Sequence, residues 1–127
     1  MPGAKAPESL LEYLREQVQD AVGGLANVGR KKLLVSVGWT VNDRTFALVS
    51  RQGRVVVRIP NASVEQHLLA LDGAEPWKFG KRAAPRGWVQ LPEAMNDDAK
   101  ELRAWLRRAW TLNANEPASP KKTARKR

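Results

Sequence analysis

Residues 45–59 constrain the fold more than any other stretch. Thr45-Phe46-Ala47-Leu48-Val49-Ser50 and Val55-Val56-Val57-Arg58-Ile59 are two apolar, β-branched runs joined by Arg51-Gln52-Gly53-Arg54. Branched side chains suit a pleated strand and glycine relieves the bend, so the segment reads as a hairpin. Alternation puts Phe46 and Leu48 on one face of the first strand, and Val55, Val57 and Ile59 on one face of its partner. A lone hairpin is marginal in water, so more strands or a helix layer must cover it. Residues 33–41 are again β-branched and carry Trp39, and Asn42-Asp43 reads as a turn. The simplest arrangement is a three-stranded antiparallel meander, preceded by Arg30-Lys31-Lys32 as a basic link.

Helical periodicity brackets this meander. Leu10, Leu11, Leu14, Val18, Ala21, Val22 and Leu25 recur at helical spacing after Pro7-Glu8, which suits a first turn, and Gly23-Gly24 offers a stop. After Pro60, Ser63-Val64-Glu65-Gln66 has the form of a capping box. It opens a short helix with Val64, Leu68 and Leu71 inward, closed by Gly73. Residues 75–85 read as an irregular loop with Trp77 and Phe79, and residues 87–91 as a short strand with Trp88 and Val89. Asn96-Asp97-Asp98 then opens a last helix with Leu102, Trp105, Leu106 and Ala109 as its apolar stripe. The expected class is α+β, an antiparallel sheet packed on helices in the order α-β-β-β-α-β-α. Residues 1–7 are expected to be a flexible N-terminus, 8–112 the folded domain, and 113–127 a disordered basic tail with too little apolar content to fold.

The stretches Thr45-Phe46-Ala47-Leu48-Val49 and Gly53-Arg54-Val55-Val56-Val57-Arg58-Ile59-Pro60 resemble the hairpin of the MmcQ/YjbR-like and TfoX N-terminal domain group. Arg86-Gly87-Trp88-Val89-Gln90-Leu91-Pro92, the Asp-rich helix start and the Trp- and Arg-bearing last helix resemble it too. The resemblance runs roughly from residue 33 to residue 110. It implies a compact α+β domain, for which DNA binding has been suggested in some members, and brings no catalytic residues with it. Val37-Gly38-Trp39-Thr40 stands where TfoX proteins usually have Met-Phe-Gly-Gly, and no second, C-terminal TfoX domain is expected in this chain.

Charge points to a partner. The net charge is +9, from 22 basic and 13 acidic residues. Residues 117–127 contain Lys121, Lys122, Arg125, Lys126 and Arg127 and no acid, so five of those nine charges lie there. Ser119-Pro120-Lys121-Lys122 matches the motif of histone-like tails, in which Ser-Pro favours a turn and aligns successive cations along phosphates or a narrow minor groove. Arg30, Lys31 and Lys32, with the loop cations Lys78, Lys81, Arg82 and Arg86, would extend a basic surface, although such residues more often form a solvated face. Trp77 sits among the loop cations as a stacking candidate, whereas Trp88 and Trp105 fall on apolar faces and read as filling the core and its rim.

The residues for ordinary catalysis are missing from this pattern. Cysteine is absent, which excludes thiol nucleophiles, disulfides and zinc thiolates. His67 is the only histidine and has no evident partner. Asp97-Asp98 reads as a helix cap rather than a catalytic pair. No catalytic, cofactor-binding or metal-ligating residue is therefore assigned, and the chain is expected not to be an enzyme. No apolar run approaches the roughly 20 residues that span a bilayer, and the N-terminus lacks a signal core, so cytoplasm or nucleoid is the expected location. The leading expectation is a DNA-associated protein that binds duplex with low sequence specificity. The alternatives are a protein-interaction module or homodimer using the hairpin edge or a Trp patch, and a small-ligand site near Trp77.

Overall fold

A computed structural model describes residues 6–32, 36–79, 82–83 and 87–116. Helix α1 spans Glu8–Val22, with Leu11, Leu14, Val18, Ala21 and Val22 buried as the stripe requires. Strands β1 (Val28–Lys32), β2 (Val37–Val41), β3 (Arg44–Val49) and β4 (Val55–Arg58) follow, then α2 (Ala62–Leu69). Two-residue strands β5 (Glu75–Pro76), β6 (Lys78–Phe79) and β7 (Arg82–Ala83) lead to β8 (Trp88–Gln90), a 3-10 turn (Glu93–Asp97) and α3 (Ala99–Ala114).

The expected antiparallel sheet packed on helices is present, and β2-β3-β4 is the expected meander. The sheet is larger than the sequence pattern implied, with six strands in the order β1-β2-β3-β4-β8-β5; β6 and β7 pair separately. Two segments differ from the sequence reading. The basic link Arg30-Lys31-Lys32 belongs to edge strand β1, paired with β2 from Val28↔Val41 to Lys32↔Val37. The irregular loop of residues 75–85 contains β5, β6 and β7. Arg30, Lys31 and Lys32 show no apolar alternation because they lie exposed at a sheet edge, and Glu75 and Pro76 of β5 lie exposed at the other.

The turns follow their residues. Asn42 and Asp43 take φ of 52° and 67°, the mirror-image geometry that matches strand twist in a two-residue hairpin. Gly53 takes φ of +84° at the β3–β4 bend, where a Cβ would meet Leu10 and Ala6 of the α1 entry. Helix starts were only partly legible. Asn61, not Ser63, caps α2, its Oδ1 accepting from the Val64 amide at 3.0 Å. Asp98 caps α3 as expected, accepting from the Glu101 amide at 3.1 Å. Gly23 ends α1 in right-handed geometry, not the left-handed cap glycine permits.

Both long helices run the same way over the sheet. The Ala6 amide donates to the Arg51 carbonyl and Asn96 Nδ2 donates to the Gly53 carbonyl, so both start at the β3–β4 bend. At the far end Arg107 Nε of α3 donates to the Ala21 carbonyl of α1. The core joins Leu14 and Val18 of α1, Leu102 and Leu106 of α3, and Trp39, Phe46, Val57 and Val89 of the sheet. Burying each such side chain contributes about 1.5–3 kcal/mol. Leu48 and its cross-strand partner Val56 are also buried, so the sheet centre is shielded on both faces. Leu68 is inward on α2, while Leu71 is 36% exposed, against the sequence reading.

Candidate nucleic-acid interface

The described basic residues expected at the interface fall into two groups on opposite sides of the sheet. Arg30, Lys31 and Lys32 lie exposed on β1. Trp77 follows β5 at the other edge, and Lys78 and Arg82 lie exposed on the ribbon beyond it. Five strand spacings separate the two edges, about 24 Å. Lys81, Arg86 and the tail cations Lys121, Lys122, Arg125, Lys126 and Arg127 lie outside the described residues.

The β1 group is divided by its own packing. Arg30 pairs in register with Trp39, and its guanidinium lies 5.4 Å from the Trp39 ring centroid. Trp39 is fully buried, and its Nε1 donates to Gln19 Oε1 at 2.9 Å. Arg30 thus covers a core indole, a contact worth about 0.5–1 kcal/mol at such a site. Exposed cations on an edge strand also discourage edge-to-edge pairing.

At the opposite edge two indoles meet. The Trp77 and Trp88 ring centroids are 5.8 Å apart with planes tilted by 53°. The Trp77 amide donates to the Trp88 carbonyl at 3.0 Å, which continues the β5–β8 ladder by one bond. Both side chains are half-buried. Trp88 thus lies at the rim: β8 turns Val89 into the core, and strand alternation turns Trp88 the other way. Trp105 is buried as expected, with the Arg108 guanidinium 5.3 Å from its ring centroid. Trp110 is half-buried and donates from Nε1 to the Ala26 carbonyl at 3.2 Å.

The root of the basic tail is held at the same end of the sheet as Trp77 and Trp88. Glu116 Oε1 accepts from Arg58 Nη1 at 2.9 Å and lies 3.1 Å from Arg44 Nη1. Arg58 is the register partner of Trp88. Asn113, expected to begin the tail, is instead fully buried in α3. Its Oδ1 accepts from Arg58 Nη1 at 2.6 Å, and its Nδ2 donates to the carbonyls of Arg58 at 2.9 Å and Ala109 at 2.7 Å. The folded part thus reaches Glu116, because a polar residue with three bonds inside a cluster is indistinguishable in sequence from one in a tail.

His67 is exposed in the last turn of α2. Among the described residues no three His, Cys, Asp or Glu side chains gather as a metal site. No helix among them is long and apolar enough to cross a membrane.

The model of the TfoX N-terminal domain matches residues 20–112. The chain belongs to that family. No curated protein and no solved structure matches it. The TfoX N-terminal domain match takes in every strand, α2 and nearly all of α3. It includes Arg30, Lys31, Lys32, Trp77, Lys78, Lys81, Arg82 and Arg86, and it stops short of the five tail cations.

Proposed function

We propose that this TfoX N-terminal domain protein is a non-enzymatic, DNA-associated protein of low sequence specificity, anchored on duplex by the cations of residues 117–127. The observation that carries this reading is the placement of five cations, without an acid, directly after a helix end clamped to the sheet by Arg44 and Arg58. A cationic segment tethered to a folded body raises its own effective concentration near any phosphate the body meets. The same reading gives the protein a place in the cytoplasm, on the nucleoid where DNA is present.

Counterion release gives the test a magnitude. Five phosphate contacts predict a slope of about −4.5 in log affinity against log salt, or roughly 500-fold weaker binding from 50 to 200 mM. Electrophoretic-shift titration of A·T-rich and G·C-rich duplexes at both salts measures it. Replacing Lys121, Lys122, Arg125, Lys126 and Arg127 by Gln should abolish the salt-steep part while leaving the folded body unchanged. A shallow slope in the native chain, or binding indifferent to those replacements, would overturn the reading. A preference for A·T-rich duplex would support the minor-groove form of it.

A second reading, a protein-interaction module, draws on the outer edge of β1, which no other described strand pairs. The β3–β4 hairpin does not provide such an edge, because both its strands are interior. Pairing two copies through β1 would also set Arg30, Lys31 and Lys32 against their counterparts, and like charges opposite each other are destabilising. A homodimer through this edge is therefore disfavoured, and a sedimentation measurement of the native chain tests it.

A further inference from the structure

We infer that the outer edge of β1 takes up an extended acidic peptide segment of another protein, which joins the sheet as a further strand beside Arg30, Lys31 and Lys32. This rests on the second reading above and names its partner. It does not depend on the duplex anchor.

The register fixes which backbone groups of β1 face outward. The Asn42 amide donates to the Asn27 carbonyl at 3.3 Å, so Asn27 and Asn42 form a hydrogen-bonded pair. Antiparallel strands alternate such pairs with pairs whose N–H and C=O groups point away from each other. With Val28 opposite Val41 and Lys32 opposite Val37, Gly29 and Lys31 bond to β2, whereas Val28, Arg30 and Lys32 turn their groups outward. The next strands carry the same alternation. The Ser50 amide donates to the Arg54 carbonyl, which turns Ala47 toward β2 and Trp39 toward β3, away from Arg30. The Val28 amide is used in the preceding turn, donating to the Leu25 carbonyl at 3.3 Å. The carbonyls of Val28, Arg30 and Lys32 and the amides of Arg30 and Lys32 remain, and nothing among the described residues bonds to them.

Charge selects the occupant. Arg30, Lys31 and Lys32 are exposed, and no carboxylate among the described residues pairs with them. Arg30 and Lys32 emerge on the face of Trp39, and Lys31 on the other. Opposite charges directly across two strands attract and like charges repel, so the cations that oppose a second copy of β1 favour an acidic strand. Phosphates would match the cations but bring no donors for the outward carbonyls. A peptide backbone supplies both N–H and C=O at strand spacing. Val28 is half-buried against the core and extends the edge to an apolar position. Every pairing in the sheet is antiparallel. An antiparallel partner would read, from its N-terminus, three acids opposite Lys32, Lys31 and Arg30, a spacer opposite Gly29 and a β-branched residue opposite Val28.

The test is fluorescence anisotropy of the full chain with a labelled peptide containing Glu-Glu-Glu-Thr-Val. N-methylation of the third Glu removes the donor facing the Arg30 carbonyl and leaves the charge unchanged. It should weaken binding about 5- to 150-fold, the equivalent of two net hydrogen bonds. Combining Lys31→Gln with Lys32→Gln, which leaves Arg30 on Trp39, should weaken it about 2- to 30-fold. Amide hydrogen exchange is the second readout and reports folding in the same experiment. The Gly29 and Lys31 amides should be protected in the free chain, and the Arg30 and Lys32 amides only once the peptide is added. Absence of peptide binding to the native chain, or equal binding of the methylated peptide, overturns the inference. Protection of Arg30 and Lys32 that rises with protein concentration in the absence of peptide assigns the edge to a second copy. That result overturns the acidic partner and keeps the interaction-module reading. Protection of the same amides by a 12-base-pair duplex, and not by the peptide, overturns both and gives the edge to DNA.

Discussion

Asn113→Ala removes a side chain that ties the end of α3 to the sheet. The residue is fully buried and makes three bonds, one of them from the Arg58 guanidinium at 2.6 Å. Ordinary hydrogen bonds contribute about 1 kcal/mol net, and one to a charged group about 1.5–3 kcal/mol. Two effects reduce the loss. Arg58 keeps Glu116 as a partner, so its charge is not stranded. Alanine also gains up to about 0.7 kcal/mol of helix propensity. The expected net destabilisation is about 2–3 kcal/mol. For a domain of roughly this size each kcal/mol lowers Tm by about 4–8 °C, so Tm should fall by at least about 8 °C. Urea unfolding followed by indole fluorescence measures the change, and the denaturant slope should stay constant if only stability is altered. A loss below about 0.5 kcal/mol would refute the view that Asn113 clamps α3 to the end of β4.

Two further substitutions probe the body. Gly87 has φ of +98°, and a Cβ there would lie 3.1 Å from the Ile59 carbonyl oxygen, so Gly87→Ala should cost about 1–3 kcal/mol in the same urea assay. Trp39→Phe deletes the Nε1 bond to Gln19 and part of a fully buried ring beneath Arg30, and should cost about 2–3 kcal/mol by thermal melting.

The parts legible in sequence were those with periodic burial. Leu14 and Val18 on α1, Leu102 and Leu106 on α3, and the Gly53 hairpin all carry the pattern that their surroundings impose. Strand β1 was not legible because Arg30, Lys31 and Lys32 are all exposed at an edge, so no alternation marks them. Asn113 misled for the opposite reason: two of its three bonds are to Arg58, 55 residues away, and composition carries no trace of that. For the candidate interface, the cations were legible one by one, but their division between opposite sheet edges depended on strand order, which local sequence does not encode. The Trp77–Trp88 contact likewise arises from the β5–β8 pairing rather than from either residue's neighbours.

The pairing of α1 with α3 has a consequence during synthesis. The apolar stripe of α1 is complete by Val22, yet the helix that packs beside it begins only at Ala99. At about 5–20 residues per second, ribosomes need roughly 4–15 s to make the intervening chain. Throughout that interval Leu11, Leu14 and Val18 have the strands as they emerge but not Leu102 or Leu106 to close over them. The nascent chain therefore offers a sticky apolar face to chaperones for seconds, and assembly of the core waits for the last helix to leave the ribosome.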